Sequence, residues 1–298
     1  MLKKILSFSN PFHLGTKLDQ LIITNKETGE LISRPIEDLG IVILDNQQIT
    51  FTQHVLQLLA ENNVAVVICD ARHHPSSMLM HLDTHHIQAE RFRHQIAASE
   101  PLRKQLWQQT VKAKIRNQAR VLQLAGGKNI TLLNLANKVT SGDTSNIEGQ
   151  AARIYWKQLF GSSFYRLREG PPPNPSLNYG YSIVRAAIAR AIVGSGLLPT
   201  LGIHHHNKYN SFALADDIME PYRPFVDLLI HRQIRAIPDY HNITKERKSE
   251  FLQLLSSDCI FKSNRSPIMI AMEYSSASLA KCFEGSIKKI DYPEIPAE

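Results

Sequence analysis

The stretch Gly202-Ile203-His204-His205-His206-Asn207-Lys208-Tyr209-Asn210-Ser211-Phe212-Ala213-Leu214-Ala215-Asp216-Asp217-Ile218-Met219-Glu220-Pro221-Tyr222-Arg223-Pro224 sets three imidazoles a short distance ahead of three carboxylates. Just before it, Tyr179 to Val193 is apolar on nearly every side, the pattern of a helix buried all round, and Gly194 and Gly196 stop it. The histidines therefore leave the interior at a helix end, and this half of the chain is predicted to be a helical domain packed round that hub. Neutral imidazole with carboxylate suits a divalent ion of intermediate hardness, so the stretch alone reads as a metal site.

Successive side chains diverge in any regular backbone, so at most one or two of His204, His205 and His206 can reach a single ion. If the chain is helical from Ser211, Asp217 and Glu220 share a face and Asp216 turns away. Pro221 disfavours helix at Glu220 and predicts a kink or an end there. The plain alternative is a solvated acidic helix start, favoured by the helix dipole. Phe212, Leu214, Ile218 and Met219 argue instead for burial.

Upstream, Ile147 to Phe160 keeps helical period through Ile147, Ala151, Ile154, Tyr155 and Leu159. Ser145-x-x-Glu148 at its start has the form of a capping box, in which Glu148 folds back on the helix end. Glu148 also lies on a partly apolar face, where a carboxylate needs a cation as partner. Pro101 to Leu124 reads as a long helix opened by proline and closed by Gly126-Gly127. It carries Arg103, Lys104, Lys112, Lys114, Arg116 and Arg120, six cations with no acid after Glu100, which points to phosphate contact more than to an ordinary solvated face. Arg168 to Ser176, with Pro171, Pro172, Pro173 and Pro175, is a loop expected to stay outside any helix.

The N-terminal part has a different texture. Gln20 to Thr24 and Glu30 to Arg34 flank the turn-rich Asn25 to Gly29, and Ile41 to Leu44 and Val64 to Ile68 are β-branched runs suited to buried strands. One helix is expected between those two runs, from Thr52 to Asn62. The organisation that follows is α+β: a small β-rich domain over residues 1–72, a linker over 73–84 marked by Pro75-Ser76-Ser77, and a larger all-helical domain over 85–298. Helical segments continue past Pro224 and again from about Lys245, and the tail from Asp291, with Pro293 and Pro296, is expected to be loosely ordered.

The 298 residues are enough for a sizeable core. Apolar residues at 43% and charged residues at 20% fit a globular chain rather than a disordered one. The net charge of +7 and pI near 9.3 agree with a nucleic-acid partner without establishing one. Cys69, Cys259 and Cys282 are isolated, giving neither a disulfide framework nor a zinc cluster. No apolar run reaches the roughly 18 residues of a membrane span, so no membrane is expected and a reducing cytoplasm is.

Three segments taken together carry a family resemblance. Asn146-Ile147-Glu148-Gly149-Gln150-Ala151-Ala152-Arg153-Ile154-Tyr155, then Gly202-Ile203-His204-His205, then Leu214-Ala215-Asp216-Asp217-Ile218-Met219-Glu220-Pro221-Tyr222-Arg223-Pro224 closely resemble the CRISPR-associated integrase, the universal endonuclease of spacer acquisition, in the form its type II members take. The resemblance implies that the family's three metal ligands fall on Glu148, His205 and Glu220, that Asp217 assists, and that the ion is Mg2+ or Mn2+. It implies an N-terminal β-domain that forms a homodimer, a helical catalytic domain, and double-stranded DNA, prespacer and CRISPR repeat, as substrate. It further implies a second partner, the small second universal adaptation protein, and a reaction in which a prespacer 3′-hydroxyl attacks a phosphodiester at the repeat border. Arg223, three residues after Glu220, is placed to orient a carboxylate or phosphate.

Two other classes compete. A non-catalytic double-stranded-DNA-binding scaffold would carry its affinity on the cations alone, with the acidic cluster merely structural. A small-molecule zinc hydrolase is disfavoured by the lack of a His-x-His or His-Glu-x-x-His pair.

Overall fold

In the computed structural model, which describes residues 3–71, 75–81, 83–236 and 244–297, the chain divides into two units, 1–88 and 89–298. The first holds strands β1 (Lys4–Phe8), β2 (Phe12–Lys17), β3 (Gln20–Asn25), β4 (Leu31–Pro35), β5 (Leu39–Leu44), β6 (Thr50–Phe51), β7 (Ala65–Cys69) and β8 (Pro75–Leu79), with helix α1 (Gln53–Glu61) between β6 and β7. They form two sheets, β1-β5-β7-β8 and β4-β3-β2-β6. The run Leu39-Gly40-Ile41-Val42-Ile43-Leu44 is buried at every position, as a strand covered on both faces must be, and pairs parallel with β1 and β7. Leu14 and Leu21 of the second sheet, Val42 and Val66 of the first, and Val55 and Leu59 of α1 meet in one core. The expected hairpin is present, with β3 and β4 antiparallel about the turn at Asn25 to Gly29.

The stretch expected as a linker is largely a strand. β8 pairs antiparallel with β7, Val66 opposite Leu79 and Ile68 opposite Ser77, and closes the sheet. Pro75, Ser76 and Ser77 look like breakers, but an edge strand needs hydrogen bonds on one side only and tolerates them. Part of that expected boundary, residues 72–74 and 82, lies outside the described residues.

The second unit carries α2 (Gln88–Ala97), α3 (Glu100–Leu124), α4 (Ile130–Lys138), α5 (Ile147–Phe160), α6 (Asn174–Gly194), α7 (Ala213–Ile218), α8 (Arg223–Ala236), α9 (Lys245–Leu254) and α10 (Ile268–Phe283). It is not all-helical. An antiparallel pair, β9 (Asp258–Phe261) and β10 (Asn264–Pro267), turns through Lys262 and Ser263 in left-handed conformations between α9 and α10. The hub helix α6 also begins inside the proline-rich stretch, because a proline in the first turn gives up only an N–H that has no helical partner. α6 touches its neighbours closely: a Cβ on Gly180 would stand 2.4 Å from Val226 Cγ1 and 2.8 Å from the Phe251 ring.

The C-terminal segment is strapped along α3 rather than loose. Gln109 donates to Lys288 O and accepts from Ile290 N, both at 2.9 Å. The Tyr292 and Thr110 hydroxyls lie 2.8 Å apart. Asn117 donates to Pro293 O at 3.1 Å and accepts from Ile295 N at 3.2 Å. Polar side chains on one face of α3 thus satisfy the backbone of a proline-containing segment that has no full strand partner.

Candidate active site

The start of α5 decides where Glu148 points. Asn146, in the left-handed region at φ 49°, accepts from Gly149 N at 3.0 Å, and the Asp143 carboxylate accepts from the backbone N–H of Ile147 at 2.9 Å and of Glu148 at 3.0 Å. The capping box from Ser145 does not form, because Asn146 and Asp143 satisfy these amides instead. Glu148 is released from capping, and its Oε1 accepts from the Lys114 ammonium at 2.5 Å. Gly149 permits this cap, since a Cβ there would lie 2.6 Å from Asn146 Oδ1.

Glu220 arrives from another element. α7 ends at Ile218, a single 3-10 turn spans Glu220–Tyr222, and α8 starts at Arg223, which is the break Pro221 predicts. Asn117 of α3 donates to Pro221 O at 2.8 Å and pins the turn. Glu220 Oε2 lies 2.5 Å from the Lys114 ammonium, while Oε1 accepts from Arg223 Nε at 2.8 Å. Burial pushes the Glu220 carboxyl up, but Arg223 and Lys114 outweigh it and hold it at about 2. Burial works against the Lys114 ammonium too, and Glu220 and Glu148 more than reverse the effect, leaving its pKa raised.

The histidine run is organised by Asp217, which is 0% exposed. Its Oδ2 accepts from the backbone N–H of Ile203 at 2.7 Å and His204 at 2.9 Å, and its Oδ1 from His205 N at 3.2 Å. His205 Nδ1 lies 2.5 Å from the same Oδ1, which leaves Nε2 as the free ring nitrogen on a side chain 44% exposed. The hydrogen bond that His205 donates to Asp217 raises the His205 pKa against the opposing effect of burial. Gly202 is required here, since a Cβ would meet His205 O at 2.5 Å and Asp217 Oδ2 at 2.8 Å. His204 turns the other way and stacks on buried Trp107, centroids 4.1 Å apart.

Asp216 diverges as expected, pairing with Arg185 at 2.8 Å and accepting from Asn210 at 2.8 Å. Arg223 also sits over the Tyr181 ring at 4.5 Å. Behind it, buried Asp227 accepts hydrogen bonds from Tyr155 at 2.8 Å and Tyr181 at 2.5 Å. Burial raises the Asp227 carboxyl to about 7, with the two tyrosines acting against it.

The six cations of α3 do not share one face. Lys114 points into the site. Lys104 pairs with Glu100 at 2.7 Å. Arg120 binds Gln123 at 2.8 Å and Ile295 O at 3.4 Å. Arg103 lines a cavity of about 600 Å³ beside His205, His206 and Lys208. Lys112 and Arg116 border a separate cleft of about 500 Å³ with Lys262 and Lys289, against the strapped C-terminal segment. Sequence reading missed Asp143, Asn117 and Trp107. Of these only Asp143 has a local signal, an Asp just ahead of a helix.

Whether the residues suit a divalent ion can be judged from their chemistry. Glu148 and Glu220 converge on one cation, Lys114, and Glu220 Oε2 is a buried oxygen. His205 feels the Glu220 charge and offers a free Nε2. Two carboxylates and one imidazole are a donor set for Mg2+ or Mn2+. Among the described residues no three His, Cys, Asp or Glu side chains are close enough to hold an ion as they stand, and an ammonium lies between the two glutamates.

The sequence profile of the family described as CRISPR associated protein Cas1 matches residues 6–237. A CRISPR-associated endonuclease Cas1 of Neisseria meningitidis serogroup C (strain 8013) is 39% identical over 227 residues, which is 76% of this chain and 74% of that one. In fold the chain matches a casposase bound to integration product, with TM-score 0.82 and 19% identity over 100% of this chain and 95% of that one. It also matches a chain of a Cas6-RT-Cas1–Cas2 complex, with TM-score 0.73 and 19% identity over 97% of this chain and 36% of that one.

Proposed function

Because the chain belongs to the Cas1 family of CRISPR-associated proteins, we propose that it is a metal-dependent DNA endonuclease and integrase that joins prespacer ends into a CRISPR repeat. The observation that carries this reading is the convergence of Glu148 and Glu220, from two different helical segments, on one cation beside the half-exposed His205. A neighbour of the same fold is a casposase bound to integration product, which agrees with strand joining as the chemistry.

Glu148, Glu220 and His205 Nε2 would hold Mg2+ or Mn2+, which would polarise a phosphoryl oxygen and offset the charge that develops on it. The protein's own groups set the geometry. Arg223 fixes one Glu220 oxygen, Asp217 fixes the His205 tautomer, and Asn117 fixes the turn that carries Glu220. In the joining step a 3′-hydroxyl oxygen forms a new bond to phosphorus, and the bond from phosphorus to the displaced 3′-oxygen breaks, the proton passing to that leaving oxygen by way of solvent. Water in place of the 3′-hydroxyl gives cleavage instead. No covalent protein nucleophile is needed.

Double-stranded DNA is the substrate in this reading. Arg103, beside the histidine loop, and Lys112 and Arg116 are the α3 cations still placed to meet phosphates. The β-rich unit forms the homodimer, the small second adaptation protein (Cas2) is the partner, and the cytoplasm is the location. A Cas6-RT-Cas1–Cas2 complex among the neighbours of like fold supports the partner. No helix among the described residues is long and apolar enough to cross a membrane.

The test is integration of labelled duplex into a supercoiled repeat plasmid, with and without the small partner and with chelator. Glu148→Ala and Glu220→Ala should each abolish joining while duplex binding, mostly electrostatic, persists. Joining by either variant at the wild-type rate would sink the assignment and favour the non-catalytic scaffold, for which the Lys114 bridge would be a purely structural ion pair.

A further inference from the structure

Lys114 is the side chain in the site that matches no ligand role. It comes from the middle of α3, is 13% exposed, and lies 2.5 Å from Glu148 Oε1 and 2.5 Å from Glu220 Oε2. Two carboxylates brought together at this depth repel each other, and each has lost hydration. The structure answers with a cation on a flexible stem. That answer is not a coordination bond: Glu220 Oε2 is buried and is held only by the ammonium's contact at 2.5 Å. A small hard cation coordinates carboxylate oxygens at about 2.1 Å, closer than an ammonium can approach. The two cations compete for the same oxygens, and like charge forbids them to share the position.

We propose that Lys114 is a built-in counter-ion of the metal site. It holds Glu148 and Glu220 together before loading and gives up at least one of them when a divalent ion enters, so that it sets the site's metal affinity. The inference rests on the reading of Glu148 and Glu220 as ligands. It accounts for the absence of a ready three-ligand cluster among the described residues, because the space between the glutamates is held by the ammonium. A lysine serves this purpose better than an arginine would: its point charge retracts along four methylenes, whereas a planar guanidinium locks onto carboxylates in two-pronged fashion.

The experiment is titration of Mn2+ alone, without DNA, into the full chain, read by calorimetry and by the shift in thermal unfolding. Lys114→Met should bind Mn2+ about tenfold more tightly than wild type, as expected when a cation competing for both carboxylates is removed. It should melt lower in chelator and gain more from added Mn2+. Lys114→Gln keeps a donor between the carboxylates, should fold where the methionine variant does not, and should show the same tightening. Lys114→Arg, which keeps the cation, should bind no tighter than wild type. Glu148→Gln should lose at least tenfold in affinity. Equal or weaker Mn2+ binding by folded Lys114→Met and Lys114→Gln would overturn the counter-ion role, while loss in Glu148→Gln would still uphold the ligand reading. Binding indifferent to Glu148→Gln would overturn both.

Discussion

Asp217 grips His205 at two points, through Oδ1 to the ring Nδ1 at 2.5 Å and to the backbone nitrogen at 3.2 Å. One carboxylate therefore sets both the path of the histidine loop and the tautomer of the ring, leaving Nε2 as the free ring nitrogen. Asp217→Asn replaces one accepting carboxylate oxygen with an amide NH2 that faces N–H groups. Metal affinity and strand joining should fall 10–100-fold, as for other partners that orient a metal-binding histidine. The unfavourable contact should also cost about 1–3 kcal/mol of stability. Wild-type Mn2+ affinity and melting temperature in this variant would show that the loop holds its shape unaided.

Lys112 and Arg116 flank a cleft, not the carboxylate pair. Replacing both by alanine should weaken duplex binding and flatten the slope of log affinity against log salt by about 1–2. Mn2+ binding should stay as it is. A salt slope identical to wild type would remove this cleft from the DNA path.

Asp227 gives a pH signature. Its carboxyl is raised to about 7 in the folded protein against the model-peptide range near 4, so between those values the native state holds a proton that the unfolded chain has released. Stability from this group is therefore greatest below pH 4, declines by up to roughly 1.4 kcal/mol per unit as pH rises, and levels off above 7. Asp227→Asn should lack that decline. Parallel melting-temperature profiles for the two proteins from pH 4 to 8 would refute the assignment.

Asn117 joins α3 to the Pro221 carbonyl and to Pro293 and Ile295 of the strapped segment. Asn117→Ala leaves two buried carbonyls and one N–H without this partner. Denaturant unfolding should show a loss of about 2–4 kcal/mol. Joining activity should drop as well, since the turn that presents Glu220 loses its anchor. A stable variant with slow joining would mean that the anchor serves the site alone.

What the sequence discloses depends on the range of the forces involved. The β3–β4 hairpin, the buried β5 run and the hub helix show in local periodicity, because each buries a pattern written in neighbouring residues. The divergence of Asp216 from Asp217 and the break at Pro221 follow from helix geometry alone. By contrast, β8 and the β9–β10 hairpin depend on partners supplied by the fold, and serine, proline and short mixed runs give no periodic signal. The run of cations along α3 shows the same limit. Charge is visible in sequence, yet Lys104, Lys114 and Arg120 are claimed by Glu100, by two distant glutamates and by a carbonyl from the end of the unit. The choice at α5 between a capping Glu148 and one paired to a cation is settled only by the fold, where Asn146 and Asp143 take the helix-end amides.

The strap has a consequence for how the protein is made. Thr110 meets Tyr292, 182 positions further along the chain, so the helix bearing Lys114 emerges from the ribosome long before the segment that seals it. During that interval its polar face is open to solvent, and the helical unit can complete its packing only after the segment from residue 288 to 295 has been made. Nascent chains stalled short of residue 288 should therefore hold this unit in a protease-sensitive form, and chains extended and released past Ile295 should be protected.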